Sequence, residues 1–198
     1  MRKLTFLTIT FITFFILGCT SEELTSARLY IQQKNWVKAE EFLLKALEME
    51  PENQEVLYSL GKFIYAKKED WQNMNKMFDR ALSIDPEKVI LLGGTVREYV
   101  EQIQYEYWSK KFNKGVASLK KYYEQEHKDR EITLKESIDL FEASIQIYPG
   151  EIQNYPILSR CYFEMGDSVR SIATVKKGAE ISPDNFNINL TAGQILNN

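Results

Sequence analysis

The segment YPILSRCYFEMGDSVRSIATVKKGAEISP, residues 155–183, reads as two amphipathic helices joined by a tight turn. Tyr155, Leu158, Ser159 and Tyr162 recur at the spacing of one helical face, and Gly166-Asp167 then interrupts the pattern. Ser171, Val175 and Gly178 follow as a second face, small then large then small, and Pro183 stops that helix. The offsets of 4, 3 and 5 from Ser171 to Pro183 recur upstream as Ala39, Leu43, Ala46, Pro51; as Met74, Phe78, Ala81, Pro86; and as Ser137, Phe141, Ser144, Pro149. The four prolines lie 35, 63 and 34 residues apart. A near-constant period of this size marks a repeat architecture, and it takes precedence over any local motif.

Each small-large-small helix has a partner before it. TSARLYIQQKNW supplies Ala27, Tyr30 and Trp36, and LYSLGKFIYAKKEDW supplies Leu57, Leu60, Gly61, Ile64 and Trp71. A small residue at Ala27, Gly61 and Ser159 lets the paired helix approach closely, and the aromatics fill the remaining wedge. The pattern resembles the tetratricopeptide repeat, a helix-turn-helix unit. The resemblance implies an all-α, tetratricopeptide-type helical-hairpin solenoid with units at about 20–53, 54–88, 89–151 and 152–185 and a capping helix over 186–198. The second unit has one residue more than the first, which the spacing puts near its turn.

The 63-residue interval makes the third unit an enlarged one. Val89, Leu92, Val96, Tyr99 and Ile103 keep helical spacing, and a second stripe runs through Tyr105, Trp108, Phe112, Gly115, Leu119 and Tyr122. The step from 103 to 105 turns the apolar face by roughly 200° at about 100° per residue. The spacing predicts a long helix, or two helices with a kink, with Gly93-Gly94 as a weak point. A degenerate extra repeat built on Gly115, Leu119 and Tyr122 is the other reading. EQEHKDRE (124–131) is then a charged turn.

Ahead of the repeats, Arg2 and Lys3 precede a charge-free run from Leu4 to Leu17. The run is too short to cross a bilayer, which takes about 20 apolar residues, and has the length of a signal h-region. Ile16-Leu17-Gly18-Cys19 resembles the bacterial lipobox. That resemblance implies a signal peptide over 1–18, lipid transfer to the Cys19 thiol, cleavage before it and acylation of the new amino terminus. Thr20, not Asp, follows, which implies outer-membrane sorting and a periplasm-facing, lipid-anchored protein. An uncleaved anchor helix and a plain signal peptide are the competing readings.

Composition bounds the chemistry. The chain holds 25 basic and 28 acidic residues; without Arg2 and Lys3 the body carries 23 against 28, a charge of −5. That balance argues against nucleic acid as a partner, since phosphate binding needs clustered positive charge. With one His and two Cys, a His-based metal cluster or a Ser-His triad is implausible. No phosphate loop, paired-cysteine metal site or nucleophile elbow is present, so neither cofactor nor catalytic residues are expected. Cys161 reads as a buried small hydrophobe.

One constellation remains. A base follows each small residue: Ala27-Arg28, Gly61-Lys62 and Ser159-Arg160. The tetratricopeptide resemblance implies that this position faces a concave groove. It places Ile31, Tyr65 and Phe163 beside the bases, with Leu24, Tyr58 and Pro156 one turn earlier. Arg28, Lys62 and Arg160, flanked by Tyr58, Tyr65 and Phe163, would suit a protein or peptide partner with carboxylate groups, with Glu55 and Glu164 diluting the field. A second cluster sets Lys110, Lys111, Lys114, Lys120 and Lys121 around Trp108, Phe112, Tyr122 and Tyr123. Its lysines read as the flank of a core stripe, and a ligand- or envelope-polymer-binding role for the enlarged unit is the alternative. The expectation is a non-enzymatic envelope scaffold.

Overall fold

The computed structural model describes residues 21–90, 93–124 and 129–196. In chain order its helices are α1 (Glu22–Gln32), α2 (Trp36–Met49), α3 (Gln54–Ser59), α4 (Trp71–Ile84), α5 (Val96–Glu124), α6 (Arg130–Ile147), α7 (Asn154–Glu164), α8 (Ser168–Ile181) and α9 (Phe186–Leu196). Helix α3 runs on through a π-helical stretch, Leu60–Tyr65, and a 3-10 turn, Ala66–Lys68. A short antiparallel pair, β1 (Val89–Ile90) and β2 (Gly94–Thr95), precedes α5. Cys19 and the signal-like segment lie outside the described residues.

Three of the helix pairs share one turn chemistry. Lys34, Glu69 and Gly166 take left-handed backbone with φ of 56°, 56° and 82°. The next residue, Asn35, Asp70 or Asp167, caps the following helix by accepting from the N–H of Lys38, Asn73 or Arg170. The same residue closes the preceding helix with its own N–H, donated to the carbonyl of Tyr30, Tyr65 or Tyr162. This six-to-one bond is the Schellman closure, and it satisfies carbonyls that a helix end leaves unpaired. A short side chain that accepts from the first turn is therefore required where Asn35, Asp70 and Asp167 stand.

The shared turn fixes the register and corrects one expectation. Ala27 and Ser159 lie eight residues before their caps, whereas Gly61 lies nine before Asp70. The extra residue of the second unit therefore sits inside the helix, between Gly61 and Tyr65, where the π-helical stretch absorbs it. Tyr65 consequently corresponds to Tyr30 and Tyr162, not to Ile31 and Phe163.

The small positions bring backbones together as the spacing requires. A Cβ added to Gly61 would stand 2.3 Å from the Phe78 ring, and one added to Gly115 would stand 3.0 Å from the Phe141 ring. Ser159 and Ser171 exchange hydroxyl-to-carbonyl bonds of 2.7 and 2.8 Å, and Ser137 donates to the Gly115 carbonyl at 2.9 Å. Ala27, Ala39, Leu43, Ala46, Phe78, Ala81 and Phe141 are fully buried. Gly115 thus serves α5 as Ser159 serves α7.

Helix α5 is one unbroken helix of 29 residues, roughly 43 Å long at 1.5 Å per residue. It starts at Val96, not Val89: Val89–Ile90 and Gly94–Thr95 form the β pair, with Gly93 at φ 100° and Ile90 buried. Its first half, through Val96, Val100, Ile103 and Trp108, belongs to a core built on α1–α4. Its second half reaches Tyr122, which shares a second core with Leu134, Ile138, Phe141, Leu158, Cys161 and Tyr162. Phe112 packs against both. The apolar face turns as expected, although Tyr105 is exposed and buried Ser118 takes the place assigned to Leu119. Trp108 donates its indole N–H to Asn154 at the start of α7, 3.2 Å away, and Asn75 of α4 donates to the Gln146 carbonyl of α6 at 2.6 Å, so hydrogen bonds join the two halves.

Candidate functional site

The six residues expected to line one groove have different fates. Arg28 is bound bidentately by Glu55, both contacts at 2.6 Å, and this pairing holds its guanidinium above the ordinary value. Lys62 lies 5.4 Å from the Tyr58 ring centre and 5.1 Å from that of Phe63, and burial lowers its pKa against an opposing pull from Glu106. Tyr65 is half-buried against the first core. Phe163 is exposed beside Arg160.

Tyr58 is a correction. It is fully buried, with its ring centre 6.1 Å from that of Phe78 and 5.5 Å from that of Tyr99. Tyr99 comes from the first half of α5 and covers the position that would otherwise face the groove. The Tyr58 hydroxyl has no hydrogen-bond partner among the described residues, and burial first, then Tyr99 and Glu106, push the phenol up. An orphaned buried hydroxyl destabilises, so Tyr58→Phe is expected to be neutral or stabilising by about 1 kcal/mol. A denaturation midpoint that fell instead would show that the hydroxyl has a partner.

The basic-aromatic cluster of the enlarged unit is not a stacking platform. Trp108 and Tyr122 are buried, and Lys110, Lys111 and Lys120 are engaged by Glu106, Glu69 and Glu124. Cys161 is wholly buried, which pushes its thiol up to about 11 and leaves it protonated and inert.

Arg160 stands apart. It lines a cavity of about 630 Å³ between the second half of α5 and helices α7 and α9. Val116, Leu119 and Tyr123 form one wall, Pro156 and Ile157 the floor, and Leu190 the far wall. Arg160 is also shared with an adjoining cavity of about 240 Å³ that contains Phe163, Glu164 and Ile195. Its side chain is 62% exposed, and Glu164 approaches only to 3.9 Å, beyond hydrogen-bonding distance. Glu164 is itself an acceptor for the Tyr122 hydroxyl at 3.3 Å. Burial and Glu164 raise the Tyr123 phenol while Arg160 opposes them, which puts the guanidinium beside that ring. The sequence contained a signal for this groove: Leu190 stands 34 residues after Pro156, and Gln194 stands 34 after Arg160, one repeat length in each case.

Among the described residues this is a helical-hairpin solenoid of tetratricopeptide type, all-α apart from one pair of two-residue strands, with one enlarged repeat containing a long helix. Solved structures that it resembles include MamA from Desulfovibrio magneticus RS-1, at 16% identity over 89% of this chain and 85% of that one, with a TM-score of 0.37. A tetratricopeptide repeat protein from Parabacteroides merdae is 13% identical over 88% of this chain and 57% of that one, with a TM-score of 0.35. The yeast Sti1 TPR2AB domain, solved in complex with pHSP90, is 14% identical over 85% and 67%, with a TM-score of 0.32. At these values the likeness says nothing of partner or activity. No family model matches the chain, and no curated protein matches it.

Proposed function

We propose that the chain is a non-enzymatic, lipid-anchored scaffold of a bacterial envelope that binds a protein or peptide partner in its concave groove. The observation that supports it most is the open, largely apolar cavity between α5, α7 and α9 with the exposed cation Arg160 in it. Clefts of this size with few, well-placed polar groups are where ligands bind. Among the described residues no group of three or more His, Cys, Asp or Glu could hold a metal ion.

The anchor rests on Ile16-Leu17-Gly18-Cys19. Two acyl chains on one residue hold a protein stably at a bilayer, at about 0.8 kcal/mol per buried methylene. Ser21, two residues after Cys19, caps α1 and donates its N–H to Glu50 at 3.2 Å. An anchor at Cys19 therefore leaves only Thr20 as linker, and the solenoid's first repeat is held close to the outer membrane on its periplasmic side.

The test has two arms. The mature protein is expected to carry lipid on Cys19 by mass spectrometry, and Cys19→Ser to move it from the membrane to the soluble fraction. A cross-linked partner recovered from envelope extracts is expected to be lost with Leu190→Glu, since Leu190 is half-exposed and lines the cavity. Unmodified Cys19 would remove the anchor from this reading, and undiminished recovery with Leu190→Glu would remove the groove.

A further inference from the structure

From Asn185 to Asn198 the sequence holds no charged residue, in a chain that is 27% charged. Helix α9 occupies this stretch. Its inner face is buried through Ile188 and Ile195, and Ile188 reaches Gly178 of α8. Its outer face carries Phe186, Leu190 and Gly193, spaced i, i+4 and i+7 and therefore aligned. Phe186 is 74% and Leu190 48% exposed, and Gly193 is exposed as well. A helix that closes a repeat array presents a polar outer face to water. This one presents an aromatic ring, an aliphatic side chain and a gap.

The gap has a register. Gly193 stands 34 residues after Ser159, so it holds the small-residue position of Ala27, Gly61 and Ser159. At Gly61 a phenylalanine ring fills the notch, with Phe78 2.3 Å from where a Cβ would stand. At Gly193 nothing lies within 4 Å of such a Cβ, and no described helix follows α9. The backbone there is ordinary right-handed helix, so no left-handed turn calls for glycine. Glycine inside a helix is less stable than alanine, and nothing in the described chain needs the space. The notch fits something from outside.

We propose that the exposed face of α9 pairs antiparallel with the same face of a second copy of this chain, each Phe186 entering the other's Gly193 notch. Phe186 and Gly193 lie seven residues apart on one face, about 10.5 Å along the axis at 1.5 Å per residue. A twofold axis beside Leu190 therefore sets ring against notch at both ends and brings the two Leu190 side chains together between them. One self-complementary patch serves both partners, as a twofold contact requires. The flanking residues Asn187, Asn189 and Gln194 are exposed amides, so α9 sets no like charges against each other across the axis. Phe186 and Gly193 line neither cavity around Arg160, and the proposal needs neither the anchor nor the groove.

The experiment is disulfide trapping on the full chain in detergent, with Cys19→Ser so that the other thiol, Cys161, is a buried one. Copper-phenanthroline oxidation is read on a non-reducing gel. Leu190→Cys is expected to give a covalent dimer. Phe186→Cys and Gly193→Cys are each expected to stay monomeric alone, since like positions lie about two helical turns apart, beyond disulfide reach, and to cross-link when the two are mixed. Gly193→Leu, added to Leu190→Cys, fills the notch and is expected to abolish the dimer band. Its denaturation midpoint is expected to hold or rise, because the site is open within one chain. No cross-link with Leu190→Cys, self-cross-linking of Phe186→Cys or Gly193→Cys, a dimer band that survives Gly193→Leu, or a midpoint that falls would each overturn the proposal. Recovery of an envelope partner is expected to survive Gly193→Leu, which leaves the groove untouched, so loss of the second copy and loss of the groove partner are read separately.

Discussion

Phe78→Ala is expected to cost about 3–5 kcal/mol of stability, the range for deleting a fully buried aromatic. The Phe78 ring sits in the notch left by Gly61, close enough that a Cβ there would lie 2.3 Å away, and it stacks on Tyr58. The notch walls are helix backbone held by Leu57, Leu60 and Ile64, all buried, so the site cannot collapse to refill the space. Gly61→Ala drives a methyl into the same ring and is expected to cost about 1–3 kcal/mol by overpacking. The shift in chemical-denaturation midpoint measures both. A loss below about 1 kcal/mol for Phe78→Ala would mean that the notch is not rigid.

Trp108→Ala is expected to cost a similar amount, about 3–5 kcal/mol, and to change how the molecule unfolds. The indole is buried in the first core, its ring centre is 5.1 Å from that of Phe112, and its N–H binds Asn154. Asn154 also accepts from the Ser144 hydroxyl at 2.6 Å, so one residue gathers α5, α6 and α7. Solenoid stability is close to a sum of unit and interface contributions, and weakening one interface lets the two sides melt apart. Hydrogen exchange read along the chain is expected to show α1–α4 and α6–α8 opening with one free energy in the unaltered protein and with two in Trp108→Ala. Trp108→Phe keeps the apolar contact and loses one hydrogen bond, an expected cost of about 1 kcal/mol. A single cooperative transition in Trp108→Ala would show that the cores are coupled elsewhere.

What the sequence revealed and what it hid have separate physical causes. Ala39, Leu43 and Ala46, or Ser171, Val175 and Gly178, were legible because they pack within one helix pair, whose geometry a local period determines. The groove depends on neighbours from other pairs. Arg28 is occupied by Glu55, 27 residues away, and Tyr58 is covered by Tyr99, 41 residues away. Tyr65 was misplaced because a one-residue excess within a helix leaves the caps in order while rotating what lies between. Counting back from Asp70 rather than forward from Gly61 recovers its place. The pairing of Val89–Ile90 with Gly94–Thr95 was hidden because Gly93-Gly94 marks a break without saying whether a helix or a strand lies on either side.

The 29-residue helix α5 has a consequence for how this array could have changed in length. Tandem repeats expand and contract by copying or dropping whole units, which succeeds when each junction is interchangeable with the next. In α5 two dissimilar junctions share one continuous helix: Tyr99 and Tyr107 meet α3 and α4 on one side, while Gly115 and Tyr122 serve α6 and α7 on the other. No unit can be excised here without removing half of each junction. The helix works as a splice that locks the unit count on either side of it.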